Sequence, residues 1–221
     1  MIKLSQENQK TLKVYEERYD RYAENTIKHN QMDLEKAAKK QAKLHGFIQK
    51  SFAKFPVGSQ IMEIGTAMGD EARFLKSLGY DVLATDAVDG FLSQLSAEGI
   101  KTQKFNILED DFPYPVDGIL CWRVFVHFTV VDLKIALQKC RNALKPGGRL
   151  VFNVFNRNAV DKDEQWVDFP DEYAMGADRY FHYFDPNEMF KILQKVGLDT
   201  VEYFQEGGDK KNKWLVFVVK S

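Results

Sequence analysis

Gln60-Ile61-Met62-Glu63-Ile64-Gly65-Thr66-Ala67-Met68-Gly69-Asp70-Glu71 decides how this chain folds. An apolar run ends in an acid, two glycines follow with an alanine between them, and then a helical pattern begins. That order spells a strand, a tight turn and a helix start. Gly65 can take φ > 0, and Ala67 and Gly69 carry little or no side chain to obstruct a ligand lying along the backbone. The N-terminus of the next helix offers free N–H groups. The stretch predicts a ligand loop at the carboxyl end of the first strand of an open α/β sheet.

The spacing constrains the ligand. A dinucleotide loop needs G-x-G-x-x-G with the pyrophosphate on the helix N-terminus, and here Gly69 comes one residue too early. Asp70 stands where the third glycine belongs, with Glu71 beside it. Two carboxylates suit the positive end of a helix dipole but repel a phosphate. No Gly-Lys-Ser/Thr follows, so a Walker loop is excluded too. The loop predicts a ligand without phosphates.

Outward from the loop, strand and helix patterns alternate: strand 59–64, helix 70–78, strand 81–85, helix 89–97, strands 101–105 and 117–122, helix 130–144, strand 149–155, helix 186–196, and strands 199–205 and 213–219. Such alternation implies a parallel, doubly wound sheet with right-handed crossovers. The acidic, proline-containing stretch between Asn106 and Val116 is too short and too broken for a helix and reads as an extended loop.

The pattern Glu63-x-Gly65-x-Ala67-x-Gly69 resembles motif I of the class I S-adenosylmethionine-dependent methyltransferases. Supporting pieces follow in the family's order: Tyr80–Asp86 as the second strand with its terminal acid, Phe105-Asn106-Ile107-Leu108 after the third, Asp117–Trp122 as the fourth, and Leu144–Leu150 as the turn into the fifth. The resemblance covers roughly residues 59–221. It departs at Ala67, where a glycine is usual, and at Asn106, where an Asp is usual. It implies a Rossmann-like, doubly wound, seven-stranded sheet of order 3-2-1-4-5-7-6 with the last strand antiparallel. It implies S-adenosylmethionine as cofactor, with S-adenosylhomocysteine as product. Glu63, Gly65, Thr66, Ala67 and Gly69 would bind it along the loop, Asp86 would bind its ribose hydroxyls with Ala87 beside it, and Asn106 its adenine amino group through the amide oxygen, with Ile107 beside it. Cys121 and Trp122 of the fourth strand are further candidate cofactor-binding residues. Within the class, Asp117-Gly118-Ile119, the position of His127 and the ending Gly207-Gly208-Asp209…Trp214-Leu215-Val216 are similar to the small bacterial methyltransferases of the tellurite-resistance type.

Residues 1–58 read as an N-terminal helical extension and 59–221 as the main domain. The first helix, over 5–29, puts Leu12, Tyr15, Tyr19 and Tyr22 on one face. In the resembled family such segments close over the cofactor, so Tyr15 and Tyr22 are candidate lid residues. They are also candidates for plain packing. The second helix, over 33–54, has an apolar face from Leu34 to Phe52 and a lysine-rich side that reads as a solvated face. Residues 156–184 interleave acids with aromatics in a connection too long to be idle and too aromatic to be disordered. This segment leaves the sheet beside the cofactor loop, so it reads as an acceptor-site insertion. Arg157, Trp166, Tyr180 and Tyr183 are its candidate substrate-binding residues, and its acids hint at an amine or other cation. The alternative is a surface excursion with its own small core.

Methyl transfer from a sulfonium is an in-line displacement that needs alignment above all. A neutral acceptor must also lose a proton. His127, just past the fourth strand, is the candidate base, against a histidine held by a backbone partner in the core. Trp122 and Tyr22 can offer aromatic faces to the sulfonium.

The 221 residues suffice for one α/β domain with an extension, and 44% hydrophobic content supplies a core. A net charge of −1 speaks against a nucleic-acid or membrane-surface binder. Two cysteines make no disulfide framework, four histidines show no metal-ligand spacing, and no signal peptide or membrane span is evident. The expectation is a cytoplasmic enzyme, monomeric or homodimeric, that methylates a small molecule at an O, N, C or S nucleophile. A catalytically silent S-adenosylmethionine-binding regulator is a rival, which would be stabilised by cofactor without turnover. A nucleotide-dependent oxidoreductase, which would bind NAD instead, is another.

Overall fold

The computed structural model describes residues 5–160, 162–169, 174–207 and 213–221. Gly208 and Asp209, singled out above, lie outside them, as do Asp161, Asp171, Glu172 and Tyr173 of the acid–aromatic segment. Among the described residues, nine strands form one sheet. Its main body is β3 (Lys101–Lys104), β2 (Asp81–Asp86), β1 (Gln60–Ile64), β4 (Val116–Cys121), β5 (Leu144–Asn156), β9 (Trp214–Lys220) and β8 (Asp199–Glu206), in that spatial order. Within this main body only β9 runs against the rest, pairing antiparallel with β5 and with β8. With β8 and β9 as the sixth and seventh strands of the sequence reading, this is the order 3-2-1-4-5-7-6.

Period two along the strands divides the core between the two faces. Met62, Ile64, Ile119, Cys121, Phe152, Val154 and Phe217 pack toward α5 (Val130–Ala143) and α6 (Pro186–Val196). Ile61, Val82, Ala84, Leu120, Val151 and Val218 face α2 (Leu34–Phe52) and α3 (Asp70–Ser77). Each large side chain so buried stabilises the fold by about 1.5–3 kcal/mol. Ile48 and Phe52 of α2 are fully buried in the second cluster.

Three elements depart from expectation. The predicted helix over 89–97 is a 3-10 turn at Asp89–Phe91 followed by α4 (Leu92–Ala97). The first helix, α1 (Gln6–Met32), outruns its predicted end at 29 and bends at Arg18, where φ is −135° and ψ 19°. Ser5 caps its start by accepting Asn8 N–H. The 156–184 segment contains a hairpin, β6 (Glu164–Val167) with β7 (Arg179–Phe184). β7 joins β5 in parallel at Phe155↔Tyr183 and Asn156↔Phe184. β4 ends opposite Phe152, and β9 holds the other edge of β5 up to Phe155, so β7 takes the edge β4 has left. The hairpin therefore extends the sheet at its carboxyl end, and α1 packs on β7.

Candidate functional site

The loop after β1 is built as the sequence predicts, with one strained residue. Gly65 has φ 75° and Gly69 φ 77°, and Ala67 takes φ 42°. An Ala there carries the cost of the left-handed region. Gly65 is needed twice over, because a Cβ on it would stand 2.2 Å from Val124 Cγ2. Glu63 ends up buried at the strand's cleft end, accepting a hydrogen bond from Thr66 Oγ1 at 2.7 Å. Burial above all, with Glu71 next, pushes its carboxyl well above the usual range. The loop is thus an acidic pocket floor, with Asp70 and Glu71 opening α3.

Asp86, the last residue of β2, reaches back to the loop. Its Oδ2 accepts Ala67 N–H at 3.0 Å and its Oδ1 accepts Val88 N–H at 2.9 Å. Burial raises its pKa to about 6, against the pull of those N–H donors. Asn106 is placed otherwise than expected. Its amide oxygen accepts Leu108 N–H at 3.1 Å and its amide nitrogen donates to Glu109 Oε2 at 2.9 Å. The side chain closes its own turn, as Asn does when its amide can reach the backbone two residues on.

The 3-10 turn Phe125–His127 carries the histidine. Tyr180 O is 2.7 Å from His127 Nδ1, and a carbonyl only accepts, so Nδ1 holds the proton. Nε2 must then accept, and Tyr15 Oη donates to it at 3.0 Å. Arg179 Nη1 donates to the same Tyr15 oxygen at 3.1 Å. Burial lowers the His127 pKa to about 3, helped by the Arg179 charge, so the ring is neutral. Arg179 is itself buried and faces Asp168 at 3.6 Å.

These pieces meet in one cleft of about 990 Å³. The loop Glu63–Glu71, Asp86–Val88, Phe105–Ile107, Trp122–Val124, His127 and Phe128 form its floor and one wall. α1 covers it with a stripe at helical spacing: Asn8, Thr11, Leu12, Tyr15, Tyr22 and Thr26. Tyr22 stands edge-on to Phe91 and to Tyr15, with ring centroids 5.6 and 6.0 Å away. Lys36, Lys40 and Lys43 of α2 stand at its rim, so that side of the helix is not merely solvated.

Five predicted residues stand outside the cleft lining. Cys121 is fully buried among the residues facing α5, because strand alternation turns it away and turns Trp122 inward. Arg157 is held by Asp163 and Glu188. Tyr180 Oη donates to Glu164, and Tyr183 Oη accepts from Gln165. Trp166 packs on Tyr180 with Lys10 over its ring. Three of the segment's described acids serve internal partners: Asp163 pairs with Arg157, Glu164 accepts from Tyr180, and Asp168 accepts the N–H groups of Met175 and Gly176. What the hairpin brings to the cleft is indirect, the Tyr180 carbonyl behind His127 and the Arg179 guanidinium behind Tyr15. Asn8, Thr26, Arg123 and Arg179 were missed from sequence. Asn8 and Thr26 share the face of Tyr15 and Tyr22, so following that stripe through its polar members would have found them. Arg179 gives no such signal.

The sequence model of a methyltransferase domain matches residues 24–203. A ubiquinone biosynthesis O-methyltransferase of Cereibacter sphaeroides is 29% identical over 157 residues, 66% of this chain and 62% of that protein. The chain thus spans about three-fifths of the length of that relative. Among solved structures, an S-adenosylmethionine-dependent methyltransferase from Clostridium acetobutylicum superposes with TM-score 0.69 at 15% identity, covering 91% of this chain and 98% of that one. A glycopeptide N-methyltransferase, MtfA, solved with S-adenosylmethionine, gives TM-score 0.61 at 12% identity over 78% and 91%. With its loop, its sheet order and a match over most of its length, the chain belongs to the methyltransferase domain family.

Proposed function

We propose that the protein is a cytoplasmic S-adenosylmethionine-dependent methyltransferase acting on a small molecule. The observation that carries this is the convergence on one cleft of the Gly65–Gly69 loop, the Asp86 carboxylate and the Tyr15–His127 pair. The residues fit the cofactor. Glu63, Asp86 and Glu71 suit a ligand with an ammonium and a ribose diol and no phosphate. Trp122 Nε1, a buried donor without a partner among the described residues, suits a carboxylate. Glu63, Thr66 and the loop backbone would hold the amino-acid part, Asp86 and Ala87 the ribose, and Phe105–Ile107 would wall the adenine.

Bound S-adenosylmethionine supplies an electrophilic methyl carbon on a sulfonium. The chain aligns and shields. Tyr15, Tyr22 and Trp122 offer aromatic faces to positive charge. α1 excludes water, which strengthens every polar contact beneath it. We assign His127 a positioning role and not that of the base: a ring held neutral to about pH 3 beside a guanidinium does not retain a proton at neutral pH. Its bond from Tyr15 instead fixes the phenol at the cleft wall.

The test is release of S-adenosylhomocysteine in the presence of pooled phenols, alcohols, amines and acids. Turnover with at least one pool is expected. Cofactor binding with no turnover in any pool would instead favour a silent binding protein.

A further inference from the structure

The wall opposite the cofactor loop has a fixed hydrogen-bond polarity. The Tyr180 carbonyl sets Nδ1–H on His127, Nε2 then takes the only hydrogen of the Tyr15 hydroxyl, and Arg179 donates to the Tyr15 oxygen. Tyr15 therefore has no hydrogen to offer a ligand and meets it as an acceptor. Two turns earlier on the same face, roughly 10 Å along the axis, stands Asn8. It is 3% exposed, lines the cleft, and its Oδ1 has no partner among the described residues. A buried carboxamide oxygen left so is an unmet acceptor, since such groups in native interiors are nearly always paired. The Arg179 charge is matched by Asp168, so this wall carries no uncompensated cation to attract an anion. Leu12 and Phe128 complete it with apolar surface.

Resting on the methyltransferase reading, we propose that the methyl acceptor sits between α1 and the Phe125–His127 turn and is a neutral hydrogen-bond donor, an alcohol, a phenol or an uncharged amine. Its nucleophilic X–H points at Tyr15 Oη, and Asn8 Oδ1 takes a second hydrogen of the same molecule. Oxyanion acceptors are disfavoured, because a carboxylate or tellurite-like oxyanion would set lone pairs against lone pairs at both positions. An ammonium has no lone pair on nitrogen to attack with, so an amine must enter uncharged.

The first measurement is titration of the full chain with S-adenosylhomocysteine. Absence of binding there overturns the cofactor reading itself. The loaded protein is then titrated with 4-hydroxybenzyl alcohol, which carries two donors, and with terephthalate, which carries two oxyanions. The alcohol is expected to bind at least roughly tenfold tighter, and Asn8→Leu and Tyr15→Phe should each reduce that preference about fivefold or more, with terephthalate unmoved. Equal or tighter binding of terephthalate, no binding of the alcohol, or an unchanged preference in both variants would overturn the proposal. Should a variant fail to fold, ¹⁵N NMR of His127 in the unaltered protein decides. The Nδ1–H tautomer is expected, and an Nε2–H tautomer reverses the polarity and overturns it.

Discussion

Asp86 is subject to two opposed effects. Burial makes its charge costly and raises its pKa to about 6, while the N–H groups of Ala67 and Val88 favour the carboxylate. Between about pH 4 and 6 the folded protein keeps a proton that the unfolded chain has lost. Stability contributed by this group therefore falls as pH rises through that window, by up to about 3 kcal/mol. Ribose binding runs the other way, since a carboxylate accepts hydroxyl hydrogens more strongly than a neutral acid. Calorimetry should show affinity for S-adenosylhomocysteine falling below about pH 6, and Asp86→Ala should cost about 1.5–3 kcal/mol and remove the pH step. A flat pH response in the unaltered protein would contradict the assignment. His127 has the reverse sign. Its pKa is lowered from 6.5 to about 3, so its contribution is complete above about pH 6.5 and is lost as pH falls toward 3. NMR titration should show no protonation of His127 between pH 5 and 8. A midpoint inside that range would mean that the ring is more open to water than its surroundings indicate.

At the scale of elements, α1 holds the site closed, by contacts of different kinds. Ser5 donates to Asp132 at 2.6 Å, Thr11 accepts Tyr180 N–H at 3.0 Å, and Asn25 donates to the Ala174 carbonyl at 2.6 Å. In the middle, at the bend near Arg18, Tyr19 lies so close to Gly90 that a Cβ there would be 2.5 Å from its ring. Gly90→Ala should push the centre of α1 outward and weaken cofactor binding roughly tenfold with little loss of stability, read by calorimetry and melting. Hydrogen exchange of residues 12–24 should slow on adding S-adenosylhomocysteine, since lids come from the less stable parts of a fold. Equal exchange with and without ligand would leave the tyrosine stripe as packing alone. α1 itself was legible because Tyr15, Tyr19 and Tyr22 keep helical spacing, and β1 and β2 because their apolar runs end at Gly65 and Asp86. The β6–β7 hairpin was not read as strands, although Arg179-Tyr180-Phe181-His182-Tyr183-Phe184 is rich in strand-favouring aromatics. All six are buried, so the alternation that usually marks a strand is missing. The misplacement of Cys121 has a related cause: its side depends on register, and one residue of slip exchanges it with Trp122.

For the whole molecule, the proposed function divides the work: the sheet would hold the cofactor and leave the acceptor to elements added around it. The core from β1 to β5 supplies the loop, Asp86 and Trp122, while Asn8, Tyr15 and Arg179 come from α1 and the hairpin, outside that core. Ligand binding to the native state alone should therefore report the cofactor without knowledge of the acceptor. At a hundredfold excess over Kd, a ligand stabilises by about 2.7 kcal/mol. For a domain of this size each kcal/mol moves Tm by about 2–4 °C, so S-adenosylhomocysteine should raise it by roughly 5–10 °C. NAD should raise it by nothing measurable, because its phosphates would meet Asp70, Glu71 and Asp86 around one loop. The contrast is sharper at low salt, where those charges are least screened. A shift with NAD and none with S-adenosylhomocysteine would mean that the acids do not govern the loop and that the cofactor has been misassigned.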